Sequence, residues 1–196
     1  LNLRSYSRIK LESGATLLGS VKPEDYLPKI KSRYEGIERL CYRSLINIGA
    51  LDKDRNDTAE GILIYGEGTI EGGGKVLMEN VIATERAADK EYAEKVEREQ
   101  PENARVIFGR ARGRLINISS ARGVVIDGVT LKNGPAWNVH PIYSKNIIVS
   151  DCNFRSEGVW NGDGFDPDSS EDCAIFGCSF ETGDDCIAIK SGKNPE

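Results

Sequence analysis

An aspartate in the stretch NGDGFDPDSS (residues 161–170) precedes an aspartate pair in TGDDCIAIKSG (182–192), so Asp163 stands 21 residues before Asp184, and Asp185 follows directly. Carboxylates in glycine-flanked turns can do three kinds of work. Aspartate tolerates turn conformations and binds nearby amides, so each dipeptide can be purely structural. Hard oxygen ligands can gather calcium. Crowded carboxylates, finally, cannot all ionise freely, so one keeps its proton near neutral pH while its neighbours stay charged. A proton donor and a proton acceptor in one cleft is what glycoside hydrolysis requires: one protonates the leaving oxygen and the other activates water. Spacing alone leaves all three readings open.

The elements that bring these turns together must have a period near that spacing. Short apolar runs ending in Gly, Asn or Asp recur as GVVIDGVTLKNG (123–134), NIIVSDCNF (146–154) and CAIFGCSF (173–180). They read as strands of three to five residues. Aligning Leu131, Phe154 and Phe180 gives steps of 23 and 26 residues, each with a small apolar residue two positions earlier, Val129, Cys152 and Cys178. A repeat of this length with several strands per period predicts an all-β, right-handed parallel β-helix, a solenoid of stacked turns. Successive turns would then lie about 4.8 Å apart, which sets Asp163 beside Asp184 and Asp185. Leucine-rich repeats share the period, but their L-x-x-L-x-L-x-x-N pattern is absent. IKLESGATLLGS (9–20) and GILIYGEGTIEGGG (61–74) carry the same texture towards the N-terminus, and the glycines of the latter fit tight β-helix corners better than a phosphate loop. Residues 76–106 break the pattern: glycine-free and rich in Ala, Glu, Lys and Arg, they predict one or two exposed helices or an ordered loop. That insertion is expected as a solvated decoration on one turn, with a wall at one end of a cleft as the functional alternative.

The 196 residues suffice for one domain with its own core, and 39% hydrophobic with 29% charged residues excludes disorder. A formal charge of -5 does not mark a nucleic-acid or membrane-surface binder. No run of 18 apolar residues is present, and LNLRSYSRIK lacks the order of a signal peptide. Cys41, Cys152, Cys173, Cys178 and Cys186 form no C-x-x-C pair and read as buried or free thiols. Strand patterning is interrupted at both ends, so residues 1–196 are expected to be a single β-helix domain, truncated at each end.

NGDGFDPDSS and GDDCIAIKSG together resemble the N-x-D-G and G-D-D signature of the polygalacturonases, glycoside hydrolase family 28, and GATLLGS (14–20), GEGTIEGGG (66–74), RGRLINI (112–118) and NGPAWNVHPIYSKNIIV (133–149) follow in the family's order. The resemblance covers nearly the whole chain. It implies a right-handed parallel β-helix and inverting hydrolysis of α-1,4-linked galacturonic acid. Asp184 would be the general acid, Asp163 and Asp185 would position and activate water, and Asn161 would contact the sugar or support the acids. It further implies no metal or cofactor, a pectic polysaccharide as partner rather than nucleic acid or membrane, a monomeric state, and a secreted or periplasmic location. A β-helical carbohydrate-binding module without catalysis and a calcium-dependent pectate lyase are the alternatives. The 76–106 insertion, as a wall, would favour action from chain ends.

Two departures qualify the match. Gly162 stands where the family has Thr or Asn, which removes a local hydrogen bond, and the family's later Gly-His-Gly and Arg-x-Lys segments do not occur within the 196 residues. The cations that grip the sugar carboxylate are therefore expected mainly beyond Glu196, and little hydrolysis from residues 1–196 alone. His140 is expected to fix a turn beside Trp137 and Pro141, and Lys190 to face solvent. The arginines of GRARGR (109–114) match a family segment and do not indicate RNA. Asn56 and Asn117 open chance sequons.

Overall fold

The computed structural model describes residues 1–192. Its backbone winds through three parallel sheets, each turn of the chain giving one strand to each. The first turn holds β1 (Asn2–Leu3), β2 (Arg8–Leu11) and β3 (Thr16–Leu18), followed by a hairpin of β4 (Ile30–Tyr34) and β5 (Ile37–Cys41). The second holds β6 (Ile46–Gly49), β7 (Ala59–Gly66) and β8 (Thr69–Glu71), followed by α1 (Gly74–Ala88), α2 (Lys90–Glu99) and α3 (Ala104–Gly109). The third holds β9 (Ile116–Ser119), β10 (Ala121–Asp127) and β11 (Thr130–Lys132), and the fourth β12 (Val139–Ile142), β13 (Lys145–Ser150) and β14 (Asn153–Ser156). In the fifth, bridges at Phe165 and Asp168 precede β15 (Glu171–Phe176) and β16 (Ser179–Thr182), and Ile187 and Lys190 pair with Phe165 and Asp168 to begin a sixth. This is the right-handed parallel β-helix that the repeat predicted.

The register follows the apolar repeat. Leu17, Ile70, Leu131, Phe154 and Phe180 form one column across the third sheet, with the Phe154 and Phe180 rings stacked at 4.7 Å and 10°. Such a column is the only way a period-2 strand can bury one face through every turn. The polar ends of the runs are equally systematic: Gly66, Gly128, Asp151 and Gly177 all have positive φ and stack at one corner. A left-handed residue is needed there to redirect the chain, and at Gly66 a Cβ would stand 2.2 Å from the Leu11 carbonyl oxygen. In the second sheet the strands exceed the expected length, with eight residues in β7 and seven in β10, because pairing on both sides carries the ladder through polar residues such as Glu60 and Arg122.

Every long excursion leaves from the corner between the third sheet and the first. The hairpin, which the sequence reading did not separate, roofs the outer face of the first sheet: Ser32 Oγ donates to Asn117 Oδ1 at 3.1 Å, and Tyr34 stacks on Trp137 at 4.8 Å. The 76–106 segment is helical, with the Asp89 side chain accepting the Tyr92 N–H at the start of α2. Its outer faces are solvated, but Met78, Ile82, Ala93, Val96, Ala104 and Phe108 form a cluster with Val159 and Trp160, the residues just before Asn161. The helices are thus packed onto the loop that leads into the carboxylates.

Candidate active site

The paired aspartate turns lie at this same corner, one solenoid turn apart. The Gly164 N–H donates to Asp185 O and the Phe165 N–H to Cys186 O, both at 3.0 Å. With Phe165 opposite Ile187, Asp163 stands beside Asp185 and Gly162 beside Asp184. One carboxylate oxygen from each of Asp163, Asp184 and Asp185 falls within 4.8 Å of the others. Asp163 is buried, while Asp184 and Asp185 are exposed. The group therefore has a buried floor and an open side.

Backbone packing sets this geometry. A Cβ on Gly162 would lie 2.7 Å from Val159 O and 2.8 Å from Ser156 O, and one on Gly183 would meet the same two oxygens at 2.4 and 2.6 Å. The two glycines let both aspartate turns close on the 156–159 turn, where Ser156 Oγ donates to Gly162 O at 2.5 Å. Gly162 in place of Thr is accordingly a requirement of close approach here rather than only a lost hydrogen bond. Asn138 Nδ2 donates to Asp163 O at 2.9 Å, and Asp184 Oδ1 accepts the Asp185 N–H at 3.0 Å.

Asn161 bridges the carboxylates to a buried cation. Its Nδ2 stands 3.5 Å from Asp184 Oδ2, while its Oδ1 accepts from Arg112 Nη2 at 2.8 Å, which fixes the amide with its donor towards Asp184. Arg112 is fully buried and also donates to the carbonyls of Gly109, Pro135 and Trp160 and to the Tyr34 hydroxyl. Burial lowers its pKa, yet its guanidinium lies 4.4 Å from the centre of the Trp160 ring and every N–H it points inward has an oxygen. Arg114 is likewise buried between Tyr34 and Trp137. Arg112 and Arg114 of GRARGR are thus internal struts, while Arg110 is partly exposed and paired with Glu35.

Lys190 corrects an expectation. Rather than facing solvent, its ammonium lies 2.7 Å from Asp166 Oδ1, 3.7 Å from Asp163 Oδ2 and 4.3 Å from the Trp137 ring centre. The parity of the strand directs it outward, but the outward side is the site. A hard cation would have to share Asp163 with this ammonium, which weighs against a metal among the three aspartates. Asp166, in the same NGDGFD stretch, was not singled out from sequence. It is completely buried, and burial first, then the charge of Asp163, push its pKa up to about 8. Burial also raises the pKa of Asp163. The crowding of carboxylates is therefore felt most where solvent is excluded, not simply where most aspartates meet.

His140 sits in β12 rather than at a turn, fully buried and edge-on to Trp137 at 4.7 Å. Burial pushes its pKa down to about 3, so it is neutral, with Nε2 3.7 Å from Asp168 Oδ2. Burial alone would raise the pKa of Asp168, but His140 and Arg33 outweigh it, and Arg33 Nη1 lies 3.1 Å away. This group ties the hairpin to the first sheet. All five cysteines are free thiols.

Comparison with known proteins gives the geometry a family. Residues 55–195 match the model of the glycosyl hydrolases family 28, of which 193–195 lie outside the described residues. The exo-poly-alpha-D-galacturonosidase of Dickeya chrysanthemi is 26% identical over 97% of this chain and 34% of its own length. A family 28 exopolygalacturonase from Yersinia enterocolitica superposes with a TM-score of 0.76 at 26% identity, covering 96% of this chain and 36% of that one. A hyperthermoactive exopolygalacturonase from Thermotoga maritima gives 0.72 at 32% identity, over 98% of this chain and 44% of the other. The chain thus spans between a third and a half of the length of these proteins. With the family model matched over most of its residues and the aspartate turns aligned within that match, the chain belongs to glycosyl hydrolase family 28.

Proposed function

We propose that the protein hydrolyses the α-1,4-linked galacturonic acid backbone of pectin, with Asp184 as general acid and Asp163 and Asp185 holding the attacking water. The observation that carries this reading is the convergence of three carboxylates, one buried and two exposed, within 4.8 Å on the face of a family 28 β-helix. Asp184 is the exposed carboxylate that Asn161 reaches, which suits a group that must meet the leaving oxygen; Asp163, buried beside Lys190, suits a group that must stay fixed on water. Neutral Asn161 and cationic Arg112 behind it supply positive potential on the side of the acids. The reading includes a pectic polysaccharide as sole partner, a monomer, and a secreted or periplasmic setting in which such a polymer is met.

The test is reducing-sugar release from polygalacturonic acid by the full-length protein, with chelator present. Asp184→Asn is expected to lower kcat by roughly three to four orders of magnitude, the scale of a lost acid in a concerted site. Activity that survives the substitution, or that needs calcium, would defeat the assignment.

Inversion of the anomeric centre is proposed from the family resemblance. The carboxylate spacing favours a second reading, because inverting pairs generally stand about 6.5–9.5 Å apart and retaining pairs about 5 Å. In the inverting case the water must sit beside the cluster, held jointly by Asp163 and Asp185. The anomer of the first product, followed by proton NMR, decides between them. We further propose attack from chain ends, since α1 to α3 pack against Val159 and Trp160 beside Asn161 and stand as a wall there; a ladder of product sizes at early times would count against it.

A further inference from the structure

Around Asp163 the charges do not balance if every group is ionised. Asp163 and Asp166 are both buried, Asp166 completely. They share one cation, Lys190, at 3.7 and 2.7 Å. Asp163 Oδ1 and Asp166 Oδ2 meet no donor among the described residues. The remaining charged groups are engaged elsewhere. His140, in register with Asp166 one turn earlier, is neutral, and Asp168 is held by Arg33. Arg112 is bound to Asn161 and backbone carbonyls, Arg114 to the carbonyls of Arg112 and Arg33, and the nearby Asp184 and Asp185 offer no cation. Two adjacent unsatisfied acceptors in a buried site are costly, and one proton placed between them turns the pair into a charge-assisted hydrogen bond.

We propose that Asp166 is a positioning residue that works as a neutral acid: its O–H donates to the Asp163 carboxylate and, with Lys190, holds that carboxylate against Asp184 and Asp185. The part in hydrolysis rests on the reading of Asp163 above, whereas the protonation stands without it. Burial and the neighbouring Asp163 charge both place the proton on Asp166, the more enclosed of the two. The device removes one negative charge from the floor of a site that must admit a polyanion, and it leaves Asp163 ionised and unable to rotate.

Infrared difference spectroscopy between the wild-type protein and Asp166→Asn near neutral pH tests the protonation directly. The difference spectrum should show the carbonyl stretch of one protonated carboxyl group that the wild type has and the variant lacks. The absence of such a difference band overturns the proposal. Kinetics on polygalacturonate test the positioning: Asp166→Leu, which removes the donor, should lower kcat roughly a hundredfold with KM little changed, and Asp166→Asn, whose amide N–H replaces the O–H, should recover about tenfold of that loss. The fall in kcat above pH about 8 should also disappear in Asp166→Asn, since Asp166 then has no proton to lose. An Asn variant no better than Leu, with the infrared band present, overturns the positioning role. If the full-length wild type does not cleave polygalacturonate, the reading of the site fails, and the infrared result still decides the state of Asp166.

Discussion

Replacing Gly162 by threonine, the residue the family resemblance would put there, is expected to damage both stability and activity. A Cβ at this position would lie 2.7 Å from Val159 O, 2.8 Å from Ser156 O and 3.1 Å from Ser156 Cβ. Non-bonded heavy atoms settle at about 3.5 Å, so the two carbonyls would each have to move by roughly 0.7–0.8 Å. Neither is free to do so. Ser156 O accepts from the Val159 N–H and Val159 O from the Gly162 N–H, both at 3.0 Å, and Gly183 closes on the same two oxygens from the next turn. The displacement therefore falls on residues 162 and 163. Overpacking of this kind costs about 1–3 kcal/mol, which for a chain of this size lowers Tm by roughly 2–12 °C. A carboxylate displaced by up to an ångström costs about a hundredfold in rate. Thermal unfolding and kcat on polygalacturonate measure the two effects, with Gly158→Thr, where a Cβ meets open space, as control. A Gly162→Thr protein matching wild type in both would refute the close-approach argument.

Two further predictions concern the frame. His140 shifts from its ordinary 6.5 to about 3, mainly by burial, so between those pH values the unfolded chain binds a proton that the folded chain does not. Its contribution to stability is then complete above 6.5 and is lost as pH falls towards 3, and His140→Gln should flatten the pH dependence of Tm over that window; an unchanged slope would count against the assignment. Phe154→Ala removes a fully buried ring and its stack on Phe180, and should cost about 3–5 kcal/mol in urea unfolding, against about 0.5 kcal/mol or less for Phe176→Ala, whose ring is 57% exposed. Equal losses would mean that the stacked column is not the stabilising core.

What the sequence made legible was whatever repeats. Leu131, Phe154 and Phe180 fall into register because a solenoid turn must bury the same face each time, and the offset between Asp163 and Asp185 follows from the same period. The helical insertion was legible from composition. The hairpin was not: IKSRYEGIERLC alternates charge with apolar residues weakly, and what it covers lies 85 residues downstream at Asn117. That roof is also why His140, Asp166 and Asp168 were misread or missed, since an outward-facing position on a β-helix is exposed unless something is laid over it. Lys190 was misjudged for a related reason. Its strand parity is clear, but the presence of Asp166 two ladder positions away across the turn is a tertiary fact. Two signals were present in NGDGFDPD: a second aspartate at a spacing of three from Asp163, and a third at a spacing of five.

A net charge of -5 is ill suited to the proposed acidic substrate, yet a ligand meets a local field rather than a total. The acidic surplus lies in residues 151–196, with 11 Asp and Glu against 3 Lys and Arg, whereas α1 and α2 together carry six Glu and five Lys and Arg, with Glu79 and Glu97 paired with Arg105 and Arg86. At the carboxylate cluster itself, cations are packed inward behind the acids. Lys190 stands against Asp163, and Arg112 and Arg114, buried with no carboxylate of their own, lie behind Asn161 and Trp137. With Asp166 neutral, the carboxylate cluster has three inward-turned cations behind it, and they cannot swing away because each is pinned by carbonyls, rings or Asp166. The cluster can then keep its acids close without making the cleft strongly repulsive. Arg112 carries the most of this burden, because it alone both supplies charge and orients the amide that touches Asp184.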